Sequence, residues 1–174
     1  LETEQFHQFF LPELKKYDYD GIFSAKSRAK TMSENEKKHV DGCAIFFKTS
    51  RFQLVKDYLI EFNQIAMATA EGSEDMLNRV MTKDNIGLAA LLEIKQDDMV
   101  GPDSLSSSSN KIKEKQLILI STAHIHWDPE YCDVKLIQTL MLTNEIKLII
   151  EQVTREFKLS ASQSSNGNNV DCST

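Results

Sequence analysis

The spacing of apolar and polar residues divides this chain into helical and extended segments. Over residues 3–17, Phe6, Phe9, Phe10, Leu14 and Tyr17 recur on one face, which predicts an amphipathic helix with the phenylalanines in the core. Pro12 removes one backbone donor, so a break near Leu11 is expected. Residues 19–23 read as a short strand, followed by a loop over residues 24–38. Gly42–Lys48 carries apolar residues on both faces, Cys43, Ile45 and Phe47 opposite Ala44 and Phe46. A strand buried twice must lie between two layers. Residues 51–62 alternate, with Phe52, Leu54, Tyr58, Ile60 and Phe62 on one face. Only Lys48, Thr49 and Ser50 link these two strands, which predicts that they form an antiparallel hairpin.

Residues 63–84 show no steady period and read as a long loop of functional kind. Ile86–Ile94 and residues 116–123 are apolar strands. The serine-rich stretch between them, residues 97–110, reads as a low-complexity linker closing a second hairpin. Asp133 is a plausible N-cap for a helix reaching about Phe157, whose buried stripe is Val134, Ile137, Met141, Ile146, Ile150, Val153 and Phe157. From Ser160 the Ser/Asn/Gly-rich tail is expected to be mobile. Consecutive antiparallel strands with helices before and after argue for an α+β fold of layered sheets flanked by helices.

Composition adds bounds. At 174 residues the chain has the length of one domain, with 41% hydrophobic and 26% charged residues. No apolar run is long enough to span a membrane, so no membrane partner is expected. Cys43, Cys132 and Cys172 are too few and scattered for a disulfide framework or zinc site. The net charge of −6 argues against non-specific nucleic-acid binding. Lys26, Arg28, Lys30, Lys37, Lys38 and His39 nevertheless form a local basic stretch, a solvated loop in the bland reading and a phosphate-backbone contact in the functional one.

The candidate chemistry lies where the last strand ends, in His124-Ile-His-Trp-Asp-Pro129. Two readings fit. His124, His126 and Asp128 could chelate one metal ion, since residues i and i+2 of a strand share a face. Alternatively one imidazole works alone on a phosphate, while carboxylates elsewhere hold Mg²⁺. Spacing does not choose between them.

Three longer segments carry a resemblance: residues 21–48 (Gly21-Ile-Phe-Ser-Ala-Lys-Ser-Arg through Val40-Asp-Gly-Cys-Ala-Ile-Phe-Phe-Lys48), residues 76–87 (Met76-Leu-Asn-Arg-Val-Met-Thr-Lys-Asp-Asn-Ile-Gly87) and residues 123–139 (Ala123-His-Ile-His-Trp-Asp-Pro-Glu-Tyr131 onward). Together they resemble the catalytic deadenylase subunits of the carbon catabolite repressor–Not complex, a branch of the endonuclease/exonuclease/phosphatase superfamily. The likeness covers roughly residues 1–150. It implies part of a four-layer α/β sandwich, two mainly antiparallel sheets flanked by helices, and a nuclease domain over residues 1–159 with an insertion at about 97–115. It also implies Mg²⁺-dependent removal of 3′ adenylates from messenger RNA.

Residue by residue, the resemblance makes His124 the catalytic contact to the scissile phosphate. It places Pro129 beside the terminal nucleotide and Glu36 at the mouth of the site. Asp84 and Asn85 open a strand pointing toward the pocket, with Asn85 at the substrate, while His126 and Asp128 support the loop. The family's metal-binding glutamate matches a position before Leu1, and its Gly-Asp-x-Asn-Ser and Ser-Asp-His motifs a stretch after Thr174. The expectation is therefore an interior piece of the domain, inert and marginally stable alone, with strands 86–94 and 116–123 short of neighbours. Poly(A) RNA and other subunits of the complex, reached through regions outside this chain, are the implied partners. Cytoplasm and nucleus are the implied locations.

Overall fold

In the computed structural model, residues 1–69, 74–95 and 115–165 are described. A helical segment opens the chain as Thr3–Gln5, a π turn over Phe6–Phe10, and Leu11–Lys15. The widened turn sits just ahead of Pro12, with Leu11 N–H donating to Phe6 O, so the missing proline donor is absorbed by a change of register. Strand β1 (Tyr19–Ala25) follows, then a 3₁₀ turn (Ser27–Thr31), a short helix (Glu34–Lys37), β2 (Gly42–Lys48) and β3 (Phe52–Glu61). A helix (Phe62–Thr69), a π turn (Met76–Val80), β4 (Ile86–Ile94), β5 (Leu117–Ala123) and a long helix (Cys132–Ser165) complete the order.

The strands form two sheets, β1-β2 and β3-β4-β5, with antiparallel neighbours throughout. This overturns the expected β2–β3 hairpin: β2 pairs back with β1, and β3 pairs with β4. The short Lys48–Arg51 connection is a crossing between sheets. Alternation in β2 and β3 is equally compatible with both pairings, because pattern fixes a strand's faces but not its neighbour. The second expected hairpin, β4 with β5, is present. The linker expected to close it lies outside the described residues.

Between the sheets lies one core, built from Cys43, Ile45 and Phe47 of β2 and Ile86, Leu88, Ala90 and Leu92 of β4. The other face of β2 meets the N-terminal helix, where Phe6 stacks on Phe46 and Phe23 at ring separations of 5.4 and 5.0 Å. Of the phenylalanine stripe only Phe6 is fully buried. Phe9 is 60% exposed and Tyr17 also faces solvent, because the π turn rotates the face that follows it. Beyond the larger sheet a second core joins Ile60, Phe62, Ala66, Val80, Val134, Met141 and Ile149. Helix, sheet, sheet and helix thus make four layers.

One residue divides β3 between the two cores. Pairing with β4 shifts between Leu54 and Lys56, leaving Val55 as a bulge. Phe52 and Leu54 pack into the inter-sheet core, whereas Tyr58 and Ile60 pack on the helix side. The single apolar face expected over residues 51–62 is therefore two half-faces, since one inserted residue inverts every side chain beyond it.

The expected loop over residues 63–84 is largely helical where described. β4 holds neighbours on both sides, against the expectation that it would lack one. β5, like β3, is an edge strand, with Ile118 and Ile120 partly exposed on the face toward the smaller sheet. Along the C-terminal helix Val134, Met141 and Ile149 are buried. Ile150 and Phe157 are not, so the stripe drifts by one position from the expected one. The helix extends through Ser165, into the stretch expected as tail.

Candidate active site

Beyond Ala123 the chain leaves the sheet, and the backbone of residues 124–131 is a loop held at several points. His124 N–H donates to Ile86 O at 2.9 Å, one step past the β4–β5 ladder. Asn85 Nδ2 donates to His124 O at 2.8 Å. From the C-terminal helix, Gln138 accepts the His126 N–H on Oε1 at 2.9 Å and donates Nε2 to Asn85 Oδ1 at 3.3 Å. Asn85 is 3% exposed and Gln138 fully buried. Each thus satisfies the other while clamping successive loop residues, as buried polar groups must. Further on, Asp128 Oδ1 accepts the Glu130 N–H at 2.9 Å, and Asp128 O accepts the Tyr131 N–H at 3.2 Å. Pro129 is thereby held exposed at the tip of a tight turn, beside Trp127, which is 77% exposed.

The His124 ring points toward the start of β2. Its Nδ1 lies 3.2 Å from Asp41 Oδ2. The same carboxylate oxygen is 2.7 Å from Lys26 Nζ, and Asp41 Oδ1 accepts from Arg28 Nη2 at 2.8 Å. Arg28 Nη1 also donates to Asp84. Gly42 permits the approach of β1 that brings Lys26 to Asp41, since a Cβ there would come within 2.1 Å of Ser24 O. Burial raises the Asp41 carboxyl, but Lys26 and Arg28 outweigh it, so Asp41 titrates below the ordinary carboxylate range. Burial, then Lys26, pushes the His124 ring below its ordinary value, with Asp41 opposing. Beside His124 opens a cleft of about 550 Å³ lined by Gly42, Cys43, Ala44, Thr122, Ala123 and Ile125.

The three-ligand metal reading does not survive this geometry. His126 turns the other way, its ring edge-on to Tyr131 at 5.1 Å with Nε2 buried and without a partner. Asp128 is occupied by the Glu130 backbone. Residues 124–128 are not extended strand, so the i, i+2 rule does not apply to them. Among the described residues no three His, Cys, Asp or Glu side chains gather as ligands. Nor do the carboxylates near His124 fit Mg²⁺, because Asp41 and Asp84 are already neutralised by Lys26 and Arg28.

The basic stretch is likewise not a free phosphate-binding loop. Lys26 and Arg28 face Asp41, Arg28 also faces Asp84, and Lys30 faces Glu61. Glu36 accepts from the Ser33 backbone N–H at 2.9 Å and hydroxyl at 2.7 Å, closing a capping box on Glu34–Lys37. Among the described residues no hydrogen bond or ion pair joins Glu36 to His124. Asn85, expected at the substrate, spends both ends of its amide inside the protein. Asp133, expected as an N-cap, sits in the first helical turn and holds Arg79 through both carboxylate oxygens at 2.6 and 2.9 Å. That pair carries Arg79 against the Tyr131 ring, with Lys83 Nζ 4.0 Å from the ring centroid.

Acid should weaken this cluster in two steps. His124 and His126 both have lowered values in the folded state, so unfolding takes up protons as pH falls below the ordinary histidine value of 6.5. Asp41 is lowered as well, so its contribution is full above the ordinary carboxylate range and is lost as pH falls through its native value. The melting temperature is expected to hold from pH 8 to about 6.5, decline through the histidine range, and decline again below about pH 4. Calorimetry across that range checks it; a flat profile between pH 7 and 5 would contradict the histidine step.

No family model matches the chain. It is 59% identical over 152 residues to CCR4-NOT transcription complex subunit 6-like-B of Xenopus laevis, covering 87% of this chain and 27% of that protein. It is 47% identical over 147 residues to the CCR4-Not complex 3′-5′-exoribonuclease subunit Ccr4 of Mycosarcoma maydis, covering 83% of this chain and 19% of that protein. The chain therefore spans about a quarter or less of these relatives. Its fold matches the human Nocturnin catalytic domain with a TM-score of 0.57 at 20% identity, over 86% of this chain and 44% of that one. Over most of its length the chain is similar in sequence to Ccr4-type subunits of the CCR4-NOT complex, on a fold that agrees with that of the Nocturnin catalytic domain.

Proposed function

We propose that the whole protein carrying this chain is a 3′-exoribonuclease that shortens poly(A) tails of messenger RNA, with Mg²⁺ as cofactor. In this reading it works in cytoplasm and nucleus beside the other subunits of its complex, which it meets outside this chain. The observation that carries the reading is the rigid loop that presents His124 at the cleft, in a chain 47% identical to a protein named as a 3′-5′ exoribonuclease. No step is assigned to the metal, because the carboxylates of this segment do not fit one.

What these residues can do follows from their placement. With Nδ1 turned to Asp41, the nitrogen left for a phosphate oxygen is Nε2. A protonated ring there donates to the phosphate as negative charge builds on it. Pro129 and Trp127 offer exposed apolar faces next to that point, suited to a nucleobase. The Asn85–Gln138 clamp keeps the loop from moving between them.

The test is a 5′-labelled RNA ending in twenty adenylates, incubated with the whole protein. The expected result is a ladder receding from the 3′ end, abolished by EDTA and restored by Mg²⁺, with an oligo(C) tail degraded far more slowly. Internal cleavage, or equal rates on both tails, would overturn the reading.

A further inference from the structure

Asp41 is the point on which the charges around His124 converge. Its two oxygens are bracketed by Arg28 at 2.8 Å, Lys26 at 2.7 Å and His124 Nδ1 at 3.2 Å. Three partners on one carboxylate leave it a single orientation. That orientation is fixed by groups from the turn after β1 and from the loop after β5, so Asp41 ties the smaller sheet to the larger at the cleft. The backbone adds to this: Lys26 N–H donates to Asp41 O at 3.0 Å. Nothing in this arrangement serves packing alone, since an apolar residue at 41 would leave Lys26 beside His124 with no counter-charge.

We propose that Asp41 is a positioning residue for His124, holding the ring by Nδ1 and sustaining the protonated form that meets the phosphate. The proposal rests on the exonuclease reading for its catalytic consequence, but not for the contact itself. A carboxylate only accepts, so the neutral ring beside it carries its proton on Nδ1 and a lone pair on Nε2. A lone pair facing a phosphate oxygen is repulsive; a second proton on Nε2 makes it a donor. Of the charged side chains that act on this ring, Lys26 opposes that proton, and Asp41 and Asp84 favour it. Asp41 is the acid in contact, so it is the chief counterweight to burial and Lys26, which together keep the ring below its ordinary value. The Cys43 thiol, pushed up by burial, stays neutral and takes no part.

An asparagine at 41 cannot reproduce this. Whichever way its amide is turned, an N–H group faces either Arg28 or the Lys26–His124 side. A glutamate keeps the charge but moves it by one methylene. In the whole protein, Asp41→Asn is expected to lower kcat about ten- to a hundredfold with KM changed less than about twofold, as when the carboxylate that orients a working histidine is removed. Asp41→Glu should recover part of the loss. In a His124→Ala background the Asp41→Asn change should cost less than about twofold, because there is no ring left to position. Ring nitrogen shifts of histidine-labelled protein should place the neutral proton of His124 on Nδ1, and Asp41→Asn should move the titration midpoint to lower pH.

An equal cost of Asp41→Asn in both backgrounds would overturn the proposal, as would a neutral His124 with its proton on Nε2. Should Asp41→Asn fail to fold by circular dichroism, the wild-type ring shifts and the partial recovery by glutamate decide the matter. Should the whole protein leave oligo(A) intact, the exonuclease reading fails, and the ring shifts still report on the Asp41–His124 pair.

Discussion

His124→Ala in the whole protein is expected to reduce kcat on oligo(A) by about 10²–10³-fold, the usual loss when one preorganised donor to a developing anion is removed. The fold should be unaffected. The ring's side chain is 38% exposed, and the backbone groups that anchor the loop, His124 N–H to Ile86 O and Asn85 to His124 O, do not involve the ring. KM should change little, because a contact that forms fully only as charge accumulates contributes to turnover more than to ground-state binding. Matched circular dichroism spectra with single-turnover rates for both proteins make the comparison. A rate within about threefold of wild type would remove His124 from the phosphate.

Gln138→Leu should have the largest effect on stability near the site. The leucine has a similar volume, so packing is nearly conserved, but two buried groups lose their partners. The His126 N–H loses its acceptor and Asn85 Oδ1 loses its donor. Each buried group left unsatisfied costs about 1–3 kcal/mol, which for the two together gives about 2–6 kcal/mol. Asn85→Leu added to Gln138→Leu should cost less than the sum of the two, since the pair satisfies itself. Urea unfolding of the two single variants and the double variant measures this directly. Strict additivity would show that the two amides do not act as one unit. Turnover should also fall in Gln138→Leu, because the loop presenting His124 and Pro129 would no longer be held by its helix.

How far the molecule could be foreseen differs between its parts, for physical reasons. β4 was legible because a run from Ile86 to Leu92 buried on both faces has few alternatives to a central strand. β2 was legible as a strand between layers for the same reason, but its partner was not. The short Lys48–Arg51 link suits a hairpin and a crossing between sheets equally well. The bulge at Val55 left no trace in an alternation that reads smoothly through it. Phe9 and Tyr17 misled because a π turn changes the helical phase without changing composition. At the site, His124 and Pro129 drew notice through residue type, and their resemblance supplied the roles.

Asp41 and Gln138 were missed, although each left a mark. Asp41 is the one acid abutting the buried β2 strand, and Gln138 is a polar residue four positions after Val134 in an otherwise apolar stripe. Lone polar residues in apolar surroundings merit that attention, because they persist only with partners. The basic stretch misled in the opposite sense. Its cations looked available in sequence, yet their carboxylate partners Asp41, Glu61 and Asp84 lie 13 to 56 positions away along the chain. Charge counted along a sequence says nothing of charge cancelled in space.

The bulge at Val55 has a mechanical consequence. Because β3 lends Phe52 and Leu54 to one core and Tyr58 and Ile60 to the other, neither core can loosen without dragging on a strand shared with its neighbour. The backbone of β3 works as an axle running through both compartments, so amide protons on either side of Val55 should exchange with solvent at one common rate, and the four layers should open together or not at all.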